Sequence, residues 1–254
     1  MNTSFFKSLE KPLIFGHRGY SEIAPENTMA AFKLCADHKV DGIELDVHQC
    51  KTGEIVVIHD HTLTRLAGVE KVVEECTLDY LKSLDVGSHK NPRFSNERIL
   101  LLDELFDAFG SLFYYDVELK EKHKSDTHLA RKVFNIIERH NLSERCLVSS
   151  FNPFAMRYFN QVSHQKLPSA IIYSDTEDVP KILRHGWGRH IAKANVLKPH
   201  HELVNDSMIN FFKRRKGYAI STWTVNDLDE AKRLVSLHVE GLIGNDPVLL
   251  QKAL

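Results

Sequence analysis

Short apolar and β-branched runs alternate along this chain with segments whose apolar residues recur every three or four positions. The runs are residues 13–15, 42–47, 114–119, 146–150, 170–173, 190–196, 218–223 and 241–243. Between them, Leu129, Val133, Ile136 and Ile137 keep helical spacing within 126–140, and Val204, Met208, Phe211 and Phe212 repeat it before the basic turn 213–216. Leu228, Ala231 and Val235 do the same after Asn226, which stands where an N-cap is expected. Strands that alternate with helices pair in parallel, because each crossover helix returns the chain in the same direction. Eight such units in 254 residues predict a TIM (β/α)8 barrel. An open doubly wound sheet needs fewer units, and no G-x-G-x-x-G follows the first run. The sixth run is the least regular, since Lys193 and Asn195 interrupt it.

One stretch exceeds a single crossover. Residues from about 48 to 112 hold a further strand at 54–58, a helix at 77–83 and another at 102–109. Long insertions in a barrel are usually functional loops. No linker or internal repeat divides the chain, so one domain, 1–254, carrying this insertion is expected.

Composition narrows the class. With 43% apolar and 26% charged residues the chain reads as a globular protein, and a net charge of -1 leaves no basic surplus for nucleic acid. The four cysteines, Cys35, Cys50, Cys76 and Cys146, form no C-x-x-C pair and read as free buried thiols. Residues 1–12 contain Phe5 and Phe6 but no long apolar run, and no stretch is apolar enough to cross a bilayer. A cytoplasmic protein without stable membrane insertion is expected; nothing in the sequence specifies an oligomeric state.

Chemistry concentrates at strand ends. Alternate strand residues share a face. In the second run Ile43, Leu45 and Val47 form an apolar face, which leaves Glu44 and Asp46 together on the other. The third run repeats this with Val117 and Leu119 against Glu118 and Lys120. Three carboxylates, Glu44, Asp46 and Glu118, thus converge on the barrel mouth, and an oxygen-only set suits a hard divalent ion, Mg²⁺ or Ca²⁺. A salt-bridge cluster of the same carboxylates with Arg18 and Lys120, holding no ion, accounts for the pattern equally well. The histidines favour the ion. Gly16-His17-Arg18-Gly19 follows the first run directly, where barrel loops carry catalysis, and His17 shares its face with Phe15. Arg18 between two glycines suits a bidentate grip on phosphate. His59-Asp60 ends the inserted strand. His38, His89, His123, His128, His140, His164 and His238 read as structural or surface residues, and His200-His201 as loop.

These pieces together carry a resemblance. His17-Arg18-Gly19, Pro25-Glu26-Asn27-Thr28, Glu44-Leu45-Asp46-Val47, His59-Asp60, Glu118-Leu119-Lys120, Ser150-Phe151, Trp223-Thr224-Val225-Asn226 and Gly241 with Asp246-Pro247 occur in order over nearly the whole chain. In this the chain resembles the glycerophosphodiester phosphodiesterase family. The resemblance implies metal-dependent hydrolysis of a small glycerophosphodiester to glycerol 3-phosphate and an alcohol, on a barrel with a small insertion. It places the metal ligands on Glu44, Asp46 and Glu118, the acid/base pair on His17 and His59, and phosphate binding on Arg18 and Lys120. Glu26, Asn27 and Trp223 correspond to positions lining the site; a helix-start carboxylate, an N-cap and a core aromatic are their plain alternatives. The chain departs from the family pattern at Lys51-Thr52-Gly53, at Leu66-Ala67 and at Gly244-Asn245-Asp246, none of which is expected to touch a catalytic position. A lysolipid-cleaving relative, a non-cleaving binder and a metal aldolase are the competing readings. The first would need an apolar entrance, for which Phe5-Phe6 and 151–159 are the candidates, although 153–161 reads better as a helix with a core face.

Overall fold

A computed structural model describes residues 4–6, 10–123, 128–177 and 179–254. Eight parallel strands close on themselves: β1 (Leu13–His17), β2 (Gly42–Gln49), β5 (Tyr114–Leu119), β6 (Cys146–Ser150), β7 (Ser169–Tyr173), β8 (Val196–Pro199), β9 (Ala219–Thr222) and β10 (Gly241–Gly244), with β1 pairing both β2 and β10. Two short antiparallel strands, β3 (Ile55–Val57) and β4 (Leu100–Leu101), extend β2 beyond the barrel. The helices are α1 (Met29–Asp37), α2 (Thr64–Ala67), α3 (Leu78–Ser83), α4 (Leu102–Phe109), α5 (Leu129–Arg139), α6 (Pro153–Val162), α7 (Arg189–Ala192), α8 (Asp206–Met208), α9 (Leu228–Ser236) and α10 (Pro247–Gln251). The expectation of a (β/α)8 barrel is met.

The alternation read from the sequence sorts the side chains into layers. Ile43, Leu45, Val47, Val117 and Leu119 pack outward against the helices in the main apolar cluster. Phe15, Leu147, Ala170, Val196, Ala219 and Ile243 fill the interior of the barrel with Phe5 and Phe6. Phe5 lies edge-on to Tyr114 at 5.2 Å and parallel to Phe15 at 6.4 Å, so the aromatic pair near the N-terminus is part of the core and not a docking surface. One step further along the same inward faces, the chain turns polar: Glu44, Asp116, Ser149 and Lys198 are all buried. A hydrophobic floor therefore supports a charged layer towards the carboxyl ends of the strands.

Between β2 and β5 a second apolar cluster gathers Cys50, Val56, Ile58, Leu63, Leu66, Val73, Cys76, Leu81, Val86 and Ile99. All four cysteines are free and buried. Three element readings shift. The sixth barrel strand is Val196–Pro199, not 190–196: His190 lies in α7, and Lys193 ends that helix with φ 54°. The run Val-Leu-Lys-Pro reads as a loop because its one inward polar side chain is a lysine. Asp227, not Asn226, caps α9, its carboxylate accepting from the Glu230 amide at 2.8 Å. The segment after Met208 continues as a π-helix, Ile209–Arg215. The predicted start of the fifth helix, 126–127, lies outside the described residues.

Candidate active site

Parallel register aligns the acidic residues. Glu44 stands opposite Asp116, and Asp46 opposite Glu118, on adjoining strands β2 and β5. Glu44, Asp46 and Glu118 each bring one oxygen within 4.8 Å of the others, and all three are buried. Burial and the neighbouring Asp46 push the Glu44 carboxyl up to about 8, against the opposing pull of Lys198. Burial also opposes charge on Asp46, but Lys120 and Arg18 hold it well below the usual carboxylate range. Lys120 Nζ bridges Asp46 at 3.0 Å and Glu118 at 2.5 Å. A divalent ion fits such a set: its charge relieves the repulsion that otherwise forces a proton onto Glu44, and every donor is a carboxylate oxygen. Zinc-type softness has no partner here.

The imidazoles flank this cluster. His17 ends β1, and its Nδ1 donates to Asn245 Oδ1 at 2.7 Å. Its Nε2 is thereby left as an acceptor, 4.0 Å from Glu44. Burial first, then the adjacent Arg18, lower this ring to about 3, so it is neutral at ordinary pH. His59 follows β3, and its Nδ1 lies 2.6 Å from Asp60. Burial lowers its pKa as well, opposed by Asp46. Arg18 adopts φ 56°, which turns its backbone amide onto Glu44 at 3.1 Å and its guanidinium onto Glu26 at 2.9 Å. Asn27, also left-handed, donates to Asp46 at 2.9 Å. It does not cap α1: Thr28 does, accepting from the Ala31 amide at 3.4 Å. Glu26 precedes that helix and pairs with two arginines instead. Trp223 packs edge-on to Phe151 at 5.5 Å and donates to the Lys198 carbonyl at 3.0 Å. A cavity of about 530 Å³ opens beside His59, Glu118 and Lys120, walled on its far side by Phe151, Phe154, Pro180 and Leu183.

The sequence profile of the glycerophosphoryl diester phosphodiesterase family matches residues 17–249, which include every one of these positions. The chain belongs to this family. A glycerophosphodiester phosphodiesterase of Caldanaerobacter subterraneus subsp. tengcongensis is 33% identical over 94% of this chain and 96% of its own length. One from Bacillus altitudinis is 30% identical over 92% of this chain and 94% of its own. Among solved structures, a phosphodiesterase from Oleispira antarctica, in complex with the product sn-glycerol-3-phosphate, superposes with a TM-score of 0.84 at 24% identity, covering 96% of each chain. A glycerophosphodiester phosphodiesterase from Agrobacterium tumefaciens superposes at 0.79 with 22% identity, covering 95% of this chain and 99% of its own. At these identities the two structures speak for the shared barrel.

Three groups outside the motifs first recognised also contact the candidate site residues. Lys198 is buried at the barrel axis, 2.9 Å from Asp116 and 3.7 Å from Glu44, and Ser149 donates to Asp116 at 2.7 Å. It supplies the positive charge that lets the acidic layer sit under the rim. Arg65 grips both oxygens of Glu26, at 2.7 and 2.8 Å, and Asp60 at 2.7 Å, tying the insertion to the loop after β1. Asn245 orients His17, which corrects the expectation that the turn 244–246 stays clear of the positions assigned to catalysis. The alternation of β8 could have exposed Lys198, had its strand been placed. Nothing local marks Asn245 or Arg65, whose partners are 228 and 39 residues away.

Proposed function

We propose that this chain hydrolyses glycerophosphodiesters to glycerol 3-phosphate and an alcohol, using a divalent ion, Mg²⁺ or Ca²⁺, held by Glu44, Asp46 and Glu118. The observation that carries this reading is three buried carboxylates offering oxygens within 4.8 Å of one another beside an arginine, a lysine and two imidazoles. Bound there, the ion supplies positive charge against the phosphoryl oxygens and the glycerol hydroxyls. Arg18 and Lys120 hold the phosphoryl group in place and face its negative charge as it builds up. His17, kept neutral with Nε2 bare, accepts the proton of the nucleophile, which is water or the neighbouring glycerol hydroxyl, whose cyclic phosphate is then opened by water. His59 donates a proton to the departing alcohol from its protonated form, which Asp46 and Asp60 favour against burial. Each of these proton transfers contributes about 10²–10⁴-fold. Glu26 and Arg65 keep Arg18 extended across the mouth, and Asn27 aims Asp46. Trp223 and Phe151 line the side on which the alcohol leaves.

A coupled glycerol 3-phosphate assay across head groups and metals tests the reading. Turnover is expected with Mg²⁺ or Ca²⁺ and lost on chelation. His17→Ala and Glu44→Ala are each expected to lower kcat at least about 100-fold, the scale of one acid/base group. Near-normal turnover in either variant removes that residue from its role, and turnover that survives exhaustive chelation removes the ion. The apolar wall of the cavity, Phe151, Phe154, Pro180 and Leu183, also favours a second reading in which lysolipids are accepted. Assaying glycerophosphocholine beside lysophosphatidylcholine separates the two.

A further inference from the structure

Just past the carboxylate cluster, a second group of side chains converges with a different chemistry. His48 lies one inward step beyond Asp46 on β2 and is fully buried. Its Nε2 meets the carbonyl of His59 at 3.1 Å; a carbonyl only accepts, so Nε2 carries the hydrogen and donates. In the neutral ring Nδ1 is then a bare lone pair, yet it points at a carboxylate oxygen, Oε1 of Glu74, from 2.8 Å. His61 directs its own Nδ1 at the same oxygen from 2.6 Å. Two lone-pair carriers this close repel unless a positive centre stands between them. The other carboxylate oxygen, Glu74 Oε2, is shielded from solvent and has no hydrogen-bond partner among the described residues. All three ligand atoms lie within 4.8 Å of one another.

We propose that His48 Nδ1, His61 Nδ1 and Glu74 form a second metal site, of the zinc type, distinct from the carboxylate cluster. Two imidazoles and one carboxylate match the three-ligand sets that zinc takes in tetrahedral geometry with one open position. The bond from His48 to the His59 carbonyl is the backing that metal-bound histidines characteristically have, holding the ring and its tautomer. Reaching the ~3.3 Å edge of such a tetrahedron lengthens the two nitrogen–oxygen contacts, from 2.8 and 2.6 Å, by roughly 0.5 and 0.7 Å. A neighbouring cavity of about 430 Å³, lined by His61, Glu74, Gln49 and His123, gives ion and solvent a way in. Oxygen-only ligands favour Mg²⁺ or Ca²⁺, whereas imidazole ligands favour zinc, so the two sites select different ions. The ion would pin β2, the segment after His59-Asp60 and the 3₁₀ turn Val73–Glu75 of the insertion to one point.

The test uses the full chain stripped by chelation. One equivalent of Co²⁺ is expected to give the intense visible bands of a four-coordinate, nitrogen-containing site. The bands should persist in Glu44→Gln, which damages the carboxylate cluster, and vanish in Glu74→Gln and His61→Ala. Zn²⁺ at about 100-fold over its dissociation constant should raise the unfolding midpoint by about 5–10 °C, and this rise should be absent in Glu74→Gln. Should those variants fail to fold, the wild-type chain still decides: on Zn²⁺ addition, the Nδ1 resonances of His48 and His61 should move to metal-bound positions. Only weak six-coordinate cobalt bands, or imidazole nitrogens unmoved by Zn²⁺, would overturn the proposal and leave a protonated His48 paired with Glu74. It stands independently of the phosphodiesterase mechanism, since none of its readouts is turnover.

Discussion

His17 shows how one hydrogen bond sets the character of a catalytic candidate. An imidazole can act as a base only through a bare nitrogen, and Asn245 decides which nitrogen that is by accepting from Nδ1 at 2.7 Å. Ser21 donates to the same Asn245 oxygen at 3.2 Å, which holds the amide with its oxygen towards the ring. Asn245→Ala should therefore lower kcat by about 10-fold or more while KM changes little, because ring orientation is lost and the substrate contacts stay. Steady-state kinetics on glycerophosphocholine measures this. A KM rise at unchanged kcat would show that Asn245 serves binding instead.

At the scale of elements, the insertion is fastened to the barrel by charge as well as by its own apolar cluster. Arg65 in α2 reaches Asp60 beside His59 and Glu26 in the loop before α1. Burial tends to raise the Asp60 carboxyl, but Arg65 and His59 outweigh it and lower Asp60 to about 2. A carboxyl depressed in the folded state adds stability above its unfolded pKa, near 3.8, and this is lost as pH falls through the folded value. The wild-type chain should therefore lose more stability between about pH 4 and pH 2 than Asp60→Asn does. Denaturant midpoints measured at intervals over that range test this, and parallel curves for the two proteins would exclude Asp60 as a contributor. The same elements show why prediction slipped where it did. Residues 190–196 are rich enough in apolar and β-branched neighbours to pass for a strand, while the true strand, Val196–Pro199, ends in a lysine and a proline that read as a turn.

Across the whole molecule the barrel interior is layered, with aromatic and aliphatic residues at one end and charges at the other. Lys198 is where the layers meet. It is 2% exposed and faces Asp116 and Glu44, so its charge is matched only when β2, β5 and β8 have all closed around it. Removing one partner of a buried ion pair leaves an uncompensated charge. Lys198→Met should therefore cost about 3–5 kcal/mol of stability. Combining it with Asp116→Asn should recover much of that loss, as measured by chemical denaturation. A single variant as stable as wild type would mean that Asp116 and Glu44 are neutral without the lysine.

Periodicity and spacing were enough to determine the closed barrel, the motif residues at strand ends and the alternation of strands and helices apart from the sixth strand. These follow from local rules: side chains alternate across a strand, and a carboxylate pair two apart shares a face whatever surrounds it. Tertiary structure alone decided which further charges meet them. Lys198 beneath Glu44, Asn245 behind His17, Arg65 across Glu26, and His48 and His61 on one oxygen of Glu74 come from elements distant along the chain. Their encounter depends on barrel closure and on how the insertion folds back over the rim. A residue's neighbours in sequence carry no record of that, because the energy of a buried charge is set by what lies within a few ångströms in space.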